Sequence, residues 1–232
     1  MSTGFFNLIN TTNGEVIMLI EHVLKEGVEN IAVFYGGRFQ PMHQGHHDVY
    51  KHLVQKFGAD NVFIATMVSA KVQGLIRKTN AGGKLTDIQR GELSKNPFTF
   101  DEKASIMNKM FNIPGDKIIN TNPYRPDMAA AGRDENTTAQ ILVYGEKDAS
   151  RLATGGEGFL HELPKDMNEL IPTAQERGYV YVAPLMQGGM SASDFRADMA
   201  SEGDEEAKKQ AFTKFFGKYN EQIFKFIQER LT

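Results

Sequence analysis

The sequence contains no cysteine, which removes disulfide frameworks, thiol nucleophiles and every cysteine-ligated zinc or iron–sulfur site. Long apolar runs are missing as well: the longest early one spans residues 16–20, far short of the roughly 20 residues that cross a bilayer. Nor is there an excess of positive charge. Lys and Arg total 26 against 29 Asp and Glu, a net charge of −3, so no global field gathers nucleic acid or an anionic membrane. Any phosphate-binding site must be local. The first basic residue is Lys25, so the charged start of a signal peptide is lacking and a cytoplasmic location is expected. The Asn-x-Thr sequons at Asn10 and Asn136 would matter only to an exported chain. Two familiar phosphate-binding patterns are also missing. Gly83-Lys84 is followed by Leu85, and Lys78 occupies the place of a Walker A glycine. The first strand-to-helix turn has no G-x-G-x-x-G, which argues against a dinucleotide-dependent dehydrogenase. Internal repeats and low-complexity tracts are not found.

What is present suits one enlarged domain: 232 residues, 41% apolar and 24% charged, enough for a substantial core. Short β-rich runs at residues 31–35, 61–68, 117–121, 140–144 and 179–183 alternate with helical patterns at 44–57, 100–111 and 193–199. Such strand–helix–strand units predict an α/β fold, a Rossmann-like doubly wound parallel sheet covered by helices. A long C-terminal helix is expected over 205–230. It aligns Phe212, Phe215, Phe216, Tyr219, Ile223, Phe226 and Ile227 on one face, to pack on the core or, alternatively, on a second copy in a homo-oligomer. Residues 1–30 form an N-terminal extension with an Asn13-Gly14 turn and a helix over 15–26, without evident chemistry. The domain proper runs over 31–232, with insertions at about 69–95, 122–138 and 149–178. The first insertion has six basic residues against Asp87 and Glu92. It reads as a solvated or mobile loop, or as a lid over a polyanionic substrate.

Chemistry concentrates in residues 36–46, GGRFQPMHQGH, which place Arg38, His43 and His46 between a strand end and the first turn of a helix. At that edge of an α/β sheet, helix amides present partial positive charge, and glycines such as Gly37 and Gly45 let phosphate oxygens approach the backbone. His43 and His46, three residues apart, can project to one side of the helix start and donate hydrogen bonds to phosphate. The site stabilises charge and supplies no evident nucleophile. His43, His46 and His47 could instead ligate a transition metal, but the nearest carboxylate, Asp48, is awkwardly placed beside His47, and no protein-built metal site is expected.

The segment GRFQPMHQGH resembles the signature of the nucleotidylyltransferase superfamily, whose His-x-Gly-His element matches His43, Gln44, Gly45 and His46; the longer form is most similar to nicotinamide mononucleotide adenylyltransferases. Residues 190–196, MSASDFR, resemble the family's Ile-Ser-x-Thr-x-Ile-Arg element, with Ser193 in place of threonine. Asn96-Pro-Phe-Thr99 with Glu102-Lys103 resembles its Asn-Pro-Phe-Thr-x-x-Glu-Arg segment. Lys103 stands there where arginine is usual, and lysine offers no planar fork to phosphate. The resemblance implies that an acceptor phosphate attacks the α-phosphate of ATP, joining it to nicotinamide mononucleotide as NAD and releasing pyrophosphate. Another adenylyl or cytidylyl transfer to a phosphorylated acceptor is the alternative, as is a nucleotide-binding module without turnover. In the catalytic reading His46 contacts the α-phosphate, His43 holds the triphosphate, and Arg196 acts with Ser191 and Ser193 on the β- and γ-phosphates. Gly37, Arg38, Phe39, Gly45 and Gly145 border the nucleotide. Asn96, Phe98, Thr99 and Lys103 lie near the acceptor, where Phe98 offers a ring for stacking or else belongs to the core. Asp148 and Arg151 follow Gly145, either as a ribose or phosphate contact or as a surface pair. Magnesium is expected to arrive with ATP, bridging its oxygens largely through water. ATP and a small phosphorylated acceptor are the expected partners, with no nucleic acid and no membrane.

Overall fold

The computed structural model describes residues 28–145, 158–175, 177–184 and 191–231. Among these, β1 (Asn30–Gly36), β2 (Val62–Thr66), β3 (Ile118–Asn120), β4 (Thr138–Gly145), β5 (Leu160–Glu162) and β6 (Gly178–Ala183) form one sheet in the order β3-β2-β1-β4-β6-β5. Every pairing is parallel. A parallel sheet is covered on both faces, so its strands are apolar without interruption: VFIAT of β2 is buried throughout, and TAQILVYG of β4 is buried up to its exposed final glycine. The chain steps outward from β1 through β2 to β3, then returns to the other side of β1 as β4. That reversal leaves a crevice at the carboxyl ends of β1 and β4, where α/β sheets bind ligands.

The helices are α1 (Gln44–Phe57), α2 (Ala70–Asn80), α3 (Asp87–Lys95), α4 (Phe100–Phe111), α5 (Ala192–Ala200), α6 (Glu205–Phe216) and α7 (Glu221–Leu231). Helix α1 buries Tyr50, Leu53 and Phe57, spaced to share one face. Helix α4 adds Ile106, Met107, Met110 and Phe111. These residues form one apolar cluster with Val33, Ile64 and Ile141 of the sheet and with buried aromatic rings of α5, α6 and α7. The opposite face carries Ala32, Phe34, Phe63, Leu142 and Val180, packed with Met128 from the β3–β4 connection. The outward and return connections thus lie on opposite faces, the doubly wound arrangement expected from the sequence.

Three expectations differ from the structure. The single C-terminal helix is two, because Gly217 adopts a left-handed φ of 76° and closes α6 by donating its N–H to Thr213. Asn220 then starts α7 by accepting the Ile223 N–H on its side chain. The break lets Phe212, Phe215 and Phe216 share the core with Ile223, Phe224 and Ile227, while Tyr219 from the same expected face stays exposed. The 69–95 segment is a helical hairpin, α2 and α3, with Ser69 and Thr86 accepting backbone N–H groups as N-caps. The 149–178 segment contributes β5, which pairs with β6 at the sheet edge. The helix expected over 15–26 lies outside the described residues. Among the described residues no helix is long and apolar enough to cross a membrane.

Candidate active site

Between the end of β1 and the start of α1 the chain turns through Phe39, whose φ of 45° is left-handed and costly for an aromatic residue. Its buried ring packs edge-on against Tyr35 and His46, with centroids 5.3 and 5.1 Å away. A Cβ on Gly37 would come within 2.6 Å of that ring, so Gly37 is required for Phe39 to brace His46. Phe39, expected to border the nucleotide, packs its buried ring on Tyr35 and on the histidine it braces.

His43 is the N-cap of α1. Its Nδ1 accepts the His46 N–H at 3.3 Å, and Nδ1 of His46 accepts the His43 N–H at 3.4 Å. A capping box normally uses a hydroxyl and a carboxylate or amide; here two imidazoles fill both places. Backbone N–H groups only donate, so each Nδ1 must accept and each neutral ring carries its proton on Nε2. The donor each ring retains for a ligand is therefore Nε2–H. The rings stack at 3.7 Å, and Phe215 of α6 lies edge-on to His43 at 5.3 Å. Burial pushes His43 down to about 4. It pushes His46 down to about 3, with the charge of His43 adding to the effect. At neutral pH the pair is uncharged.

Phe215 carries a testable share of that environment. Phe215→Ala is expected to raise the His43 pKa from about 4 toward 6.5, read from imidazole resonances during an NMR titration, and to cost about 3–5 kcal/mol of stability. With both folded-state pKa values below the unfolded one, the unfolded chain binds more protons as pH falls from 6.5 toward 4. The wild type should lose stability across that window; the variant should lose it less steeply. A His43 pKa unmoved by the substitution would show that Phe215 is not what desolvates it.

His47 turns away from this pair and stacks on Phe111 with centroids 4.6 Å apart. Asp48 is engaged by Gln44 and Lys51 at 3.0 and 2.8 Å. Among the described residues no group of three or more His, Cys, Asp or Glu could hold a metal ion. Magnesium prefers oxygen ligands, so this set of imidazoles, hydroxyls and guanidinium does not fit it as a resident ion.

The second motif meets the first across the fold. Ser191 is the N-cap of α5, its Oγ accepting the N–H groups of Ser193 and Asp194 at 3.2 and 3.3 Å. Arg196 donates to the Gln40 carbonyl at 2.6 Å and to Ser193 Oγ at 3.3 Å. Burial, and secondarily the charge of Arg38, lowers the Arg196 pKa, so the structure does bring these two arginines into one field. Met190 lies outside the described residues, as do Asp148 and Arg151. Gly45 is buried in the first turn of α1. Gly145 is exposed at the end of β4, where an added Cβ would meet nothing within 4 Å.

Of the two readings given for Phe98 in the third motif, the structure takes the core one. Phe98 is fully buried and faces Phe226 at 6.3 Å, so it is a core residue and no stacking surface. Thr99 caps α4 through Glu102, in a box closed by Glu102 accepting the Thr99 N–H at 2.8 Å. Asn96 donates to the Glu92 carbonyl at 3.1 Å at the end of α3. Lys103 is 1% exposed. Its ammonium donates to Thr66 Oγ1 at 2.6 Å and to the carbonyls of Arg38 and Met67, each at 3.2 Å. All three donors are occupied, and burial lowers its pKa to about 8. Lys103, expected near the acceptor, anchors the loop after β1 to the end of β2.

Gln40 escaped the sequence reading. Its Nε2 donates to the Phe98 carbonyl and its Oε1 accepts the Phe98 N–H, both at 3.0 Å, while its own carbonyl holds Arg196. One buried residue therefore joins all three motifs. The only sequence signal was an amide inside GRFQP, since a buried amide needs partners but does not name them.

With this geometry in place, residues 34–147 match the model of the cytidylyltransferase-like family. The match covers His43, His46 and the 96–103 segment, ends before Ser191, and supports a nucleotidyltransferase of the nucleotidylyltransferase superfamily. No curated protein matches the chain.

Proposed function

We propose that the protein joins ATP and nicotinamide mononucleotide into NAD, with release of pyrophosphate. The observation that carries a transfer reaction is the histidine cap: two neutral rings whose Nδ1 atoms are committed to the backbone, each retaining an Nε2–H, at the crevice end of β1. Such donors suit charge that grows on the α-phosphate without adding a proton to move. Arg196, beside Ser193 at the α5 start, supplies fixed positive charge for the β- and γ-phosphates. No covalent intermediate is required, because the protein's task is to hold two anionic substrates in line. Magnesium carried by ATP would screen the charge of its phosphates, and none of the residues above is assigned to hold it. The choice of nicotinamide mononucleotide rests on the likeness of GRFQPMHQGH and the NPFT segment to enzymes with that acceptor.

The test is product mass after incubating purified protein with magnesium, ATP or CTP, and a panel of phosphorylated acceptors. NAD formed from ATP and nicotinamide mononucleotide is the expected result. Another nucleotide-linked product, with no NAD, would replace the acceptor; nucleotide binding with no pyrophosphate release from any pair would leave a binding module.

A further inference from the structure

A cleft of about 650 Å³ lies between the α2–α3 hairpin and a wall made by α5 and the end of α7. Arg90 and Lys95 line it from α3, Ser193 and Arg196 from α5, and Arg230 from α7, with no aspartate or glutamate in the lining. Arg90 pairs with Asp87 and Arg230 with Glu102, carboxylates that do not line the cleft. Lys95 and Arg196 enter no ion pair among the described residues. Two of the four cations around the cavity, Lys95 and Arg196, are thus left without a carboxylate partner among the described residues, and an anion is the ligand that would offset their repulsion.

We propose that Arg90 and Lys95 of the α2–α3 hairpin are further binding residues of the reaction, reaching across this cleft to the pyrophosphate end of the nucleoside triphosphate, and then the free pyrophosphate, opposite Arg196. The proposal rests on the transfer reading above. In that reaction an oxygen of the acceptor phosphate bonds to the α-phosphorus, and the bond from that phosphorus to the oxygen bridging to the β-phosphorus breaks. The electron pair leaves on pyrophosphate, so negative charge accumulates there. In-line displacement sets attacking and leaving oxygens on opposite sides of the phosphorus. Ser193 and Arg196, assigned to the β- and γ-phosphates in that reading, line the cleft, which puts the leaving group on this side and the acceptor on the other. The basic hairpin at 69–95 thereby acquires a ligand, and α7 acquires a role through Arg230.

The test is calorimetric titration of the full-length protein with magnesium pyrophosphate, inorganic phosphate and nicotinamide mononucleotide. The wild type is compared with an Arg90→Gln, Lys95→Gln double variant and with Lys95→Glu. The Arg90 side chain is 62% exposed and Lys95 is exposed, so both variants should melt like the wild type. Pyrophosphate affinity is expected to fall about tenfold or more in the double variant, as charge-assisted bonds are lost, and to fall with Lys95→Glu as well. Affinity for nicotinamide mononucleotide should stay within about twofold, because an acceptor entering from the other side meets neither residue. Failure of the wild type to bind pyrophosphate, unchanged pyrophosphate affinity in both variants, or an equal loss for the mononucleotide would overturn the proposal. Titration requires no turnover. Pyrophosphate binding lost in the variants of a protein that makes no NAD would keep the cleft and sink the acceptor assignment. NAD formed by a protein whose variants bind pyrophosphate normally would do the reverse.

Discussion

Replacing His46 by alanine should lower turnover by about two to three orders of magnitude, the usual consequence of removing one hydrogen-bond donor that stabilises a transition state, about 2.7–4 kcal/mol. Nucleotide binding should fall much less, because Arg196 and Ser193 remain in place. The substitution also removes the acceptor of the His43 N–H, a capping loss of about 1 kcal/mol. His46→Gln, which keeps polar atoms on the side chain, therefore serves as a second variant, and both need a melting curve beside the rate. The pH profile adds an independent check. With His43 held near 4 and His46 near 3, neither histidine should contribute a break near the ordinary histidine value, so a break near about 6 belongs to the second ionisation of the acceptor phosphate and should persist in His46→Gln. Turnover near wild type in both variants would remove His46 from the reaction.

The second large effect concerns Lys103, whose three donors are engaged within the protein. Lys103→Met conserves much of the volume but removes donors from the carbonyls of Arg38 and Met67 and from Thr66 Oγ1. A hydrogen bond to a charged group is worth about 1.5–3 kcal/mol, partly offset because methionine does not bury a charge. A net loss of about 2 kcal/mol is expected in denaturant unfolding, together with a lower turnover as the Arg38 loop loosens. The pH dependence has a definite sign. Burial lowers the folded-state pKa of Lys103 to about 8 from 10.5, so between those values the unfolded chain binds more protons and the wild type gains stability as pH rises. The disadvantage of Lys103→Met should widen over that window. A gap that narrows would mean the ammonium is stabilised where it lies, contrary to its desolvated setting.

Much of the fold was legible because the governing interactions are local. Helices over 44–57 and 100–111 were read with their observed limits, since apolar spacing and end residues such as Gly58 and Thr99 act within a turn. The split of the C-terminal helix at Gly217 was not read, although glycine signals helix ends. Apolar residues keep a helical period on both sides of it, and the period masked the break. Strand β5 was missed because three residues offer too short a pattern.

For the site, the sequence by itself determined that two histidines, an arginine and a helix start would meet at one strand-to-helix turn, and that no cysteine chemistry could contribute. Tertiary structure decided which of those groups keep a donor to offer. Phe98 and Lys103 looked equal to their neighbours in sequence, yet the core takes the ring and three oxygens take the ammonium. Gln40 looked like any loop amide, yet it joins three motifs. Whether a polar group is free depends on partners that approach only in the folded chain, 58 residues away for Gln40, 65 for Lys103 and 156 for Arg196; local sequence rules carry no information over such separations.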